Sequence, residues 1–190
     1  DIDQRVHQGK TALMAAAAAG DVKLLERLID AGADPKSSND KGASVLIYAA
    51  WRGDPEVVSA LIARGVDLEK KASNGWTAVT MAAAKGHNEA IRLLLAAGAR
   101  VDSPDVYGWT PLMRATDLGR TGAVTVLVRE GKARIGAMNA AGQTALHVAA
   151  AGGRGDLYRL LVHLGADPEH EDARGTTAAE IARRRGIEAP

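Results

Sequence analysis

Two stretches of the sequence decide how the chain is interpreted: Gly108–Leu112, which reads GWTPL, and Gly142–His147, which reads GQTALH. In each stretch a glycine precedes a threonine by two positions. A threonine hydroxyl at such a place can accept a hydrogen bond from a free backbone N–H of a following helix, and Pro111 suits a first helical position because it has no N–H to leave unpaired. Each stretch therefore predicts a turn followed by the start of a helix.

The same pattern recurs along the chain at intervals of roughly 33 residues, which is typical of repeat architectures. The first glycine of the pattern is found at Gly9, Gly42, Gly75, Gly108, Gly142 and Gly175. The expected N-cap residues follow at Thr11, Ser44, Thr77, Thr110, Thr144 and Thr177. A second series is expected to end the first helix at Gly20, Gly53, Gly86, Gly119 and Gly153. A third series is expected to close a second helix in the left-handed conformation, at Gly32, Gly65, Gly98, Gly131 and Gly165.

Apolar residues between these glycines predict two short antiparallel helices in each unit. Asp54-Pro55 indicates the cap and the first residue of a second helix. The residues expected to be buried in the first helices are Leu13, Ala16, Ala17, Leu46, Ala49, Ala50, Val79, Ala82, Ala83, Leu112, Ala115, Thr116, Leu146, Ala149 and Ala150. Those expected on the apolar face of the second helices are Leu24, Leu25, Leu28, Ile29, Val57, Val58, Leu61, Ile62, Ile91, Leu94, Leu95, Val124, Leu127, Val128, Leu157, Leu160 and Leu161. Because each unit is apolar on both sides, burial requires stacked neighbours.

The two quoted stretches resemble the Gly-x-Thr-Pro-Leu-His signature of ankyrin repeats, and Gly32-Ala33-Asp34 and Gly165-Ala166-Asp167 resemble the turn of that family. The resemblance implies an all-α ankyrin-repeat solenoid, in which helix-turn-helix units stack and are joined by β-turn or hairpin loops. Tetratricopeptide repeats have a different period and different signature residues. The whole chain, 1–190, is expected to form one domain, with repeats at about 6–38, 39–71, 72–104, 105–138 and 139–171. Residues 1–5 are expected to end an upstream repeat, and residues 172–190 to form a C-terminal capping partial repeat with a solvated run, Arg183-Arg184-Arg185.

The fourth unit departs from the pattern in two ways. Gly122 falls inside its second helix, and its outgoing loop, Lys132–Met138, carries one residue more than the other loops. Glycine in a helix interior costs about 0.5–1 kcal/mol relative to alanine. We expect a weaker or more mobile interface at this unit.

The composition excludes several classes of protein. Hydrophobic residues make up 46% of the chain and charged residues 25%, which favours a folded globular protein over a disordered one. The formal net charge of +1 gives no broad field that would attract nucleic acid. No apolar run is long enough for insertion into a membrane. The chain has no cysteine, so no disulfide pattern indicates its compartment. A cytoplasmic location and, if a signal peptide was removed, a periplasmic one both stay open.

No catalytic or metal-binding motif is complete. Gly9-Lys10-Thr11 resembles the end of a phosphate-binding loop, but Gln4 stands where that motif requires its first glycine. The five histidines show no ligand spacing, although His163 and His170 flank one turn and could meet. We therefore expect no enzyme activity, no cofactor and no metal.

The family resemblance implies partner binding through the loop tips and the concave face of the first helices. All three tryptophans of the chain fall at such positions, and tryptophan, tyrosine and arginine often dominate interface energetics. The expected function is that of a monomeric protein–protein interaction module or scaffold, which binds a protein partner through repeats 2–4. The expected partner-binding residues are Lys41, Trp51, Arg52, Trp76, Lys85, Tyr107, Trp109, Arg114 and Leu118.

Other interpretations of the same surface stay open. A small apolar ligand could bind in the groove, or the chain could be the regulatory ankyrin portion of a larger enzyme. Trp76 or Trp109 with Tyr107 could form an aromatic cage for methylated lysine, as in some ankyrin domains. Arg114 and Val148, however, occupy places where such cages use aromatic residues. A tryptophan after the first glycine could also simply pack against the adjacent turn.

Overall fold

In the computed structural model, which describes residues 1–188, the chain forms pairs of short antiparallel helices. A 3₁₀ turn at His7–Gly9 precedes the first pair. The helices are α1 (Ala12–Ala19), α2 (Val22–Asp30), α3 (Val45–Arg52), α4 (Pro55–Ala63), α5 (Ala78–Lys85), α6 (Asn88–Ala96), α7 (Pro111–Asp117), α8 (Thr121–Thr125), α9 (Ala145–Ala151), α10 (Gly155–His163) and α11 (Ala178–Arg184). A π-helical turn over Val126–Glu130 continues α8.

The helices stack in two rows. The inner row consists of the odd-numbered helices, each packed against the next from α1 to α11. In the outer row, α2, α4, α6 and the π-helical turn pack successively, whereas α10 packs mainly on its own partner, α9. The exposed side of the inner row, which faces away from the outer row, is called the inner face below. It corresponds to the concave face that the family resemblance implies.

The predicted capping residues explain where the inner helices begin. The Thr77 hydroxyl accepts a hydrogen bond from the backbone N–H of Thr80 at 3.3 Å, and corresponding bonds are present at α1, α3, α7 and α11. At α9 the backbone N–H of Thr144 donates to Nδ1 of His147 at 3.2 Å. Asp54 caps α4 as predicted, since its carboxylate accepts from the backbone N–H of Glu56 at 3.0 Å. Local chemistry thus fixes these helix starts.

The core lies between the rows and between successive pairs. Every first-helix residue that the sequence predicts to be buried is buried, including Thr116, whose hydroxyl donates to the backbone carbonyl of Leu112 at 2.8 Å. The second-helix prediction is wrong at Leu24, which is 42% exposed. The reason is that α2 is the first helix of the outer row and has only one outer neighbour, α4.

Two predictions for the irregular fourth pair are wrong: the longer outgoing loop and the left-handed conformation of Gly131. The extra residue does not lengthen the loop Lys132–Met138; it is taken up inside the second helix as the π-helical turn, which the N–H of Gly131 closes on the carbonyl of Val126 at 3.0 Å. Gly131 is not left-handed, as its φ is −77°. Lys132 takes the left-handed conformation instead, with a φ of 57°.

Gly131 is needed for a different reason. A Cβ at this position would lie 2.8 Å from Cδ1 of Leu95 on α6 and 2.9 Å from the carbonyl oxygen of Leu127. Gly122 is similarly crowded, since a Cβ there would lie 2.5 Å from Nδ2 of Asn88. Both glycines therefore permit the close approach of the fourth pair to α6.

Carboxylates tie some loops to the following pair. Glu69 accepts hydrogen bonds from the backbone N–H of Arg100 at 2.7 Å and from the hydroxyl of Ser103 at 2.9 Å. Burial by itself raises the pKa of Glu69, but the hydrogen bonds from Arg100 and Ser103 outweigh it and hold the pKa below its ordinary value. Asp102 binds the backbone N–H of Arg134 in the same way at 3.2 Å. The equivalent position one unit later is Gly136, which has no carboxylate to offer.

Candidate partner-binding site

An apolar groove crosses the inner face beside Trp51. The exposed positions of α1 are all alanine, whereas the neighbouring α3 carries Tyr48 and Trp51 three residues apart on one face. Small side chains next to large ones leave a hollow of about 380 Å³. We call it the Trp51 groove; it is lined by Lys10, Ala18, Ala43, Ile47, Tyr48, Trp51 and Met81. Trp51 is 46% exposed, which makes it the largest apolar surface at this place.

Two lysines lie over the aromatic rings of the groove. Nζ of Lys10 is 5.8 Å from the centroid of the Tyr48 ring, and Nζ of Lys85 is 5.4 Å from the centroid of a Trp51 ring. At these distances an ammonium is attracted to the negative face of the ring. Lys10 precedes the start of α1 and Lys85 ends α5, so the two charges lie at diagonally opposite ends of the groove.

The other two tryptophans hold an arginine. The guanidinium carbon of Arg114, on α7, lies 5.5 Å from the Trp76 ring centroid and 4.5 Å from the Trp109 ring centroid. Nε of Arg114 donates to the Asp105 carboxylate at 2.8 Å, and Nη2 donates to the same oxygen. We call this arrangement, formed by Trp76, Asp105, Trp109 and Arg114, the Arg114 stack.

The loop before α7 builds the Arg114 stack. The second oxygen of Asp105 accepts from the backbone N–H groups of Tyr107 and Trp109, both at 2.9 Å, which fixes the turn that carries Trp109. The Asp105 side chain is fully buried, and that of Arg114 is 18% exposed. A buried carboxylate is stable only when its charge and lone pairs are matched, and here one guanidinium and two amides match them. The ion pair of Asp105 and Arg114 therefore stabilises the loop before α7.

A family model for ankyrin repeats, in three copies, matches residues 1–72, 46–139 and 108–172. The chain belongs to the ankyrin repeat family. Ankyrin repeats are generally protein–protein interaction modules and are typically not enzymes. No curated protein matches the chain. Among residues 1–188, no helix of the ankyrin chain combines the length and hydrophobicity that a membrane crossing requires.

In this ankyrin chain the predicted contact residue Arg52 also serves the stack of helices. Its Nε donates to the backbone carbonyl of Ala19 at 3.3 Å, at the end of α1. Arg120 and Arg154 reach the carbonyls of Ala84 and Asp117 at the ends of α5 and α7. A positive charge at a helix C-terminus interacts favourably with the helix dipole. Arg52 thus joins neighbouring pairs while its side chain stays accessible.

The remaining predicted contact residues lie outside the Trp51 groove. Tyr107, 65% exposed, is at the tip of the loop before α7, next to Val106, which is 60% exposed. Leu118, 42% exposed, follows α7, and Lys41 lies at the tip of the loop before α3. The structure therefore distributes the predicted set between one groove, one stack and separate loop tips.

Sequence reasoning missed part of the groove. Tyr48, Met81 and Lys10 line it, but none of them was among the predicted contact residues. A signal was present for Tyr48, because it lies three residues before Trp51 on a predicted helix and so shares its face. Lys10 and Met81 come from other units, and only the stacking brings them to Trp51.

The structure bears on the suggested aromatic cage for methylated lysine. Arg114 lies over the rings of both Trp76 and Trp109, so the two tryptophans of the suggested cage already contact a cation of the chain itself. In the described part of the chain, no three histidine or acidic residues form a cluster of the kind that holds a metal ion. The rings of His147 and His170 are close, with their centroids 6.1 Å apart. Burial lowers the pKa of His147, which caps α9 and contacts the carbonyl of Thr176.

Proposed function

We propose that this ankyrin domain holds a protein partner through the inner face of α3, α5 and α7 and the loop tips that precede these helices. The observation that carries the proposal is the Trp51 groove with its half-exposed indole. An indole buries much area on contact and loses few rotors, so it is a frequent centre of interface energy. The position of the groove beside α1 extends the proposed surface to the first pair.

Two further features support a protein as the partner. Tyr107 and Val106 form an exposed apolar loop tip on the same side of the chain as the loops that carry Lys10 and Lys41. The Arg114 stack holds the loop of Tyr107 in one conformation, which lowers the entropy that binding has to offset. Together the groove and the loop tip offer two separate apolar contacts for a protein partner.

The test is affinity capture with the full chain and with Trp51→Ala, followed by identification of the proteins retained. We expect proteins that are retained by the unmodified chain to be lost with Trp51→Ala, with affinity reduced at least about tenfold. Leu24→Ala is the matched control, because Leu24 is exposed to a similar extent but lies on α2, away from the inner face. Circular dichroism should show the same helical content in all three proteins. If captured proteins bind Trp51→Ala as well as the unmodified chain, the proposal is wrong.

A further inference from the structure

We infer that the segment bound in the Trp51 groove is acidic: a short stretch of the partner in which an apolar side chain is flanked by carboxylates. This inference rests on the proposed function and specifies the chemistry of the partner. It follows from the shape of the groove, from its apolar walls and from the charges at its two ends.

The groove itself calls for an apolar side chain. Six of its seven lining residues are alanine, isoleucine, tyrosine, tryptophan or methionine. Met81 adds a flexible, polarisable wall that adapts to different shapes. A hollow of about 380 Å³ takes one or two large apolar side chains rather than a whole helix. The centre of the bound segment is therefore apolar.

The charges at the ends of the groove favour a bound segment that carries negative charge. Lys10 and Lys85 are the charged residues over its aromatic rings. In the part of the chain that the structure describes, no carboxylate lines the groove, and neither lysine takes part in an ion pair. Since positive and negative charges are almost balanced over the whole chain, this is a local excess of positive charge. Carboxylates on both sides of an apolar anchor would complement it.

A single-stranded nucleic acid is the competing occupant, since stacking on aromatic rings and lysine contacts are its usual means of binding. Such binding needs a groove whose positive charges follow the phosphate backbone over several nucleotides. The Trp51 groove has two lysines at opposite ends and apolar walls between them. The observations favour the peptide.

The experiment is selection of peptides from a random-sequence display library on the full chain, with counter-selection on Trp51→Ala. We expect the retained peptides to be enriched in one or two large apolar residues flanked by aspartate or glutamate. Retained peptides that are neutral or basic would overturn the inference and leave the proposed function standing. If no peptide distinguishes the unmodified chain from Trp51→Ala, the proposed function fails and the inference with it.

Charge variants separate the lysines from the rest of the groove. For a selected acidic peptide, Lys10→Gln and Lys85→Gln should each weaken binding about two- to fivefold, because one exposed ion pair contributes little. Lys23→Gln on α2 is the matched control and should leave affinity unchanged. Added salt should weaken binding to the unmodified chain more than binding to the double variant Lys10→Gln/Lys85→Gln. Equal salt dependence would contradict the inference.

A direct titration tests the competitor. An unstructured single-stranded oligonucleotide should cause no saturable change in tryptophan fluorescence at physiological salt. A saturable change that disappears in Trp51→Ala would assign the groove to nucleic acid and overturn the inference.

Discussion

The Trp51 groove and the Arg114 stack use the same kind of residue in opposite ways. Trp51 faces a hollow left by the alanines of α1, and 46% of its surface is exposed. Trp76 and Trp109 both lie against the guanidinium of one arginine, which is itself bound to a buried aspartate. In one region the indole is free to contact another molecule, whereas in the other both indoles have internal partners.

The difference shows that an aromatic residue in a repeat loop is not by itself a contact residue. What decides is whether the ring contacts a charged side chain that is itself held by an ion pair. Trp109 and Trp76 have Arg114, and the arginine has Asp105. Trp51 has the ammonium of Lys85 over one of its rings, and Lys85 takes part in no ion pair among the described residues. This contact separates Trp76 and Trp109, whose arginine partner is paired with Asp105, from Trp51, whose indole is half exposed.

The largest expected effect comes from breaking the Arg114 stack. Asp105→Ala leaves the guanidinium of Arg114 without its carboxylate and two backbone N–H groups without an acceptor. We expect the free energy of unfolding to fall by about 3–5 kcal/mol, measured by urea denaturation followed by circular dichroism. The double variant Asp105→Ala/Arg114→Met removes the stranded charge and should recover part of the loss. A decrease below about 1 kcal/mol for Asp105→Ala would mean that the stack is not structural.

A second comparison sets the two kinds of tryptophan against each other. Trp109 packs against the core and stacks on Arg114, so Trp109→Ala should lower the free energy of unfolding by roughly 2–3 kcal/mol. Trp51→Ala should lower it by less than about 1 kcal/mol, because half of the side chain is already in water. Urea unfolding of both variants under one condition measures the difference. Equal losses would remove the distinction between the two regions.

The smallest expected effect concerns the lysine over Trp51. Lys85→Ala removes one exposed cation–π contact and should change the free energy of unfolding by no more than about 1 kcal/mol. In a background in which Trp76 and Trp109 are phenylalanine, Trp51 is the sole tryptophan, and Lys85→Ala should make its fluorescence easier to quench with acrylamide. Unchanged quenching would show that Lys85 does not cover the ring in solution.

Much of the fold could be predicted because its determinants are local. The hydroxyl of Thr77 and the glycine at Gly86 mark the ends of α5 within a few residues, and the same grammar recurs in each pair. The glycine spacing gave a wrong prediction at Gly131, which does not take the left-handed conformation. The spacing counts residues, so it cannot distinguish an insertion in a loop from an insertion inside a helix. The close approach of Leu95, from another pair, is what keeps a glycine there.

The candidate site was predicted less completely, since its contacts join different units. The sequence pointed to Trp51, Trp76 and Trp109 together, and only the structure separates them. Arg114 and Asp105 are nine residues apart, and their pairing depends on the turn before α7 rather than on helical spacing. The hollow beside Trp51 results from alanines in one helix and large residues in the next.

The π-helical turn has a consequence for how such a chain can change its length. One additional residue between Gly119 and Lys132 widens a single turn of the outer row, and the inner helices α7 and α9 still pack against each other. The inserted residue is thus accommodated in the outer row, so the inner helices that carry the proposed contact surface keep their regular stacking. A repeat protein can therefore vary in length in its outer helices without displacing the residues of its inner face.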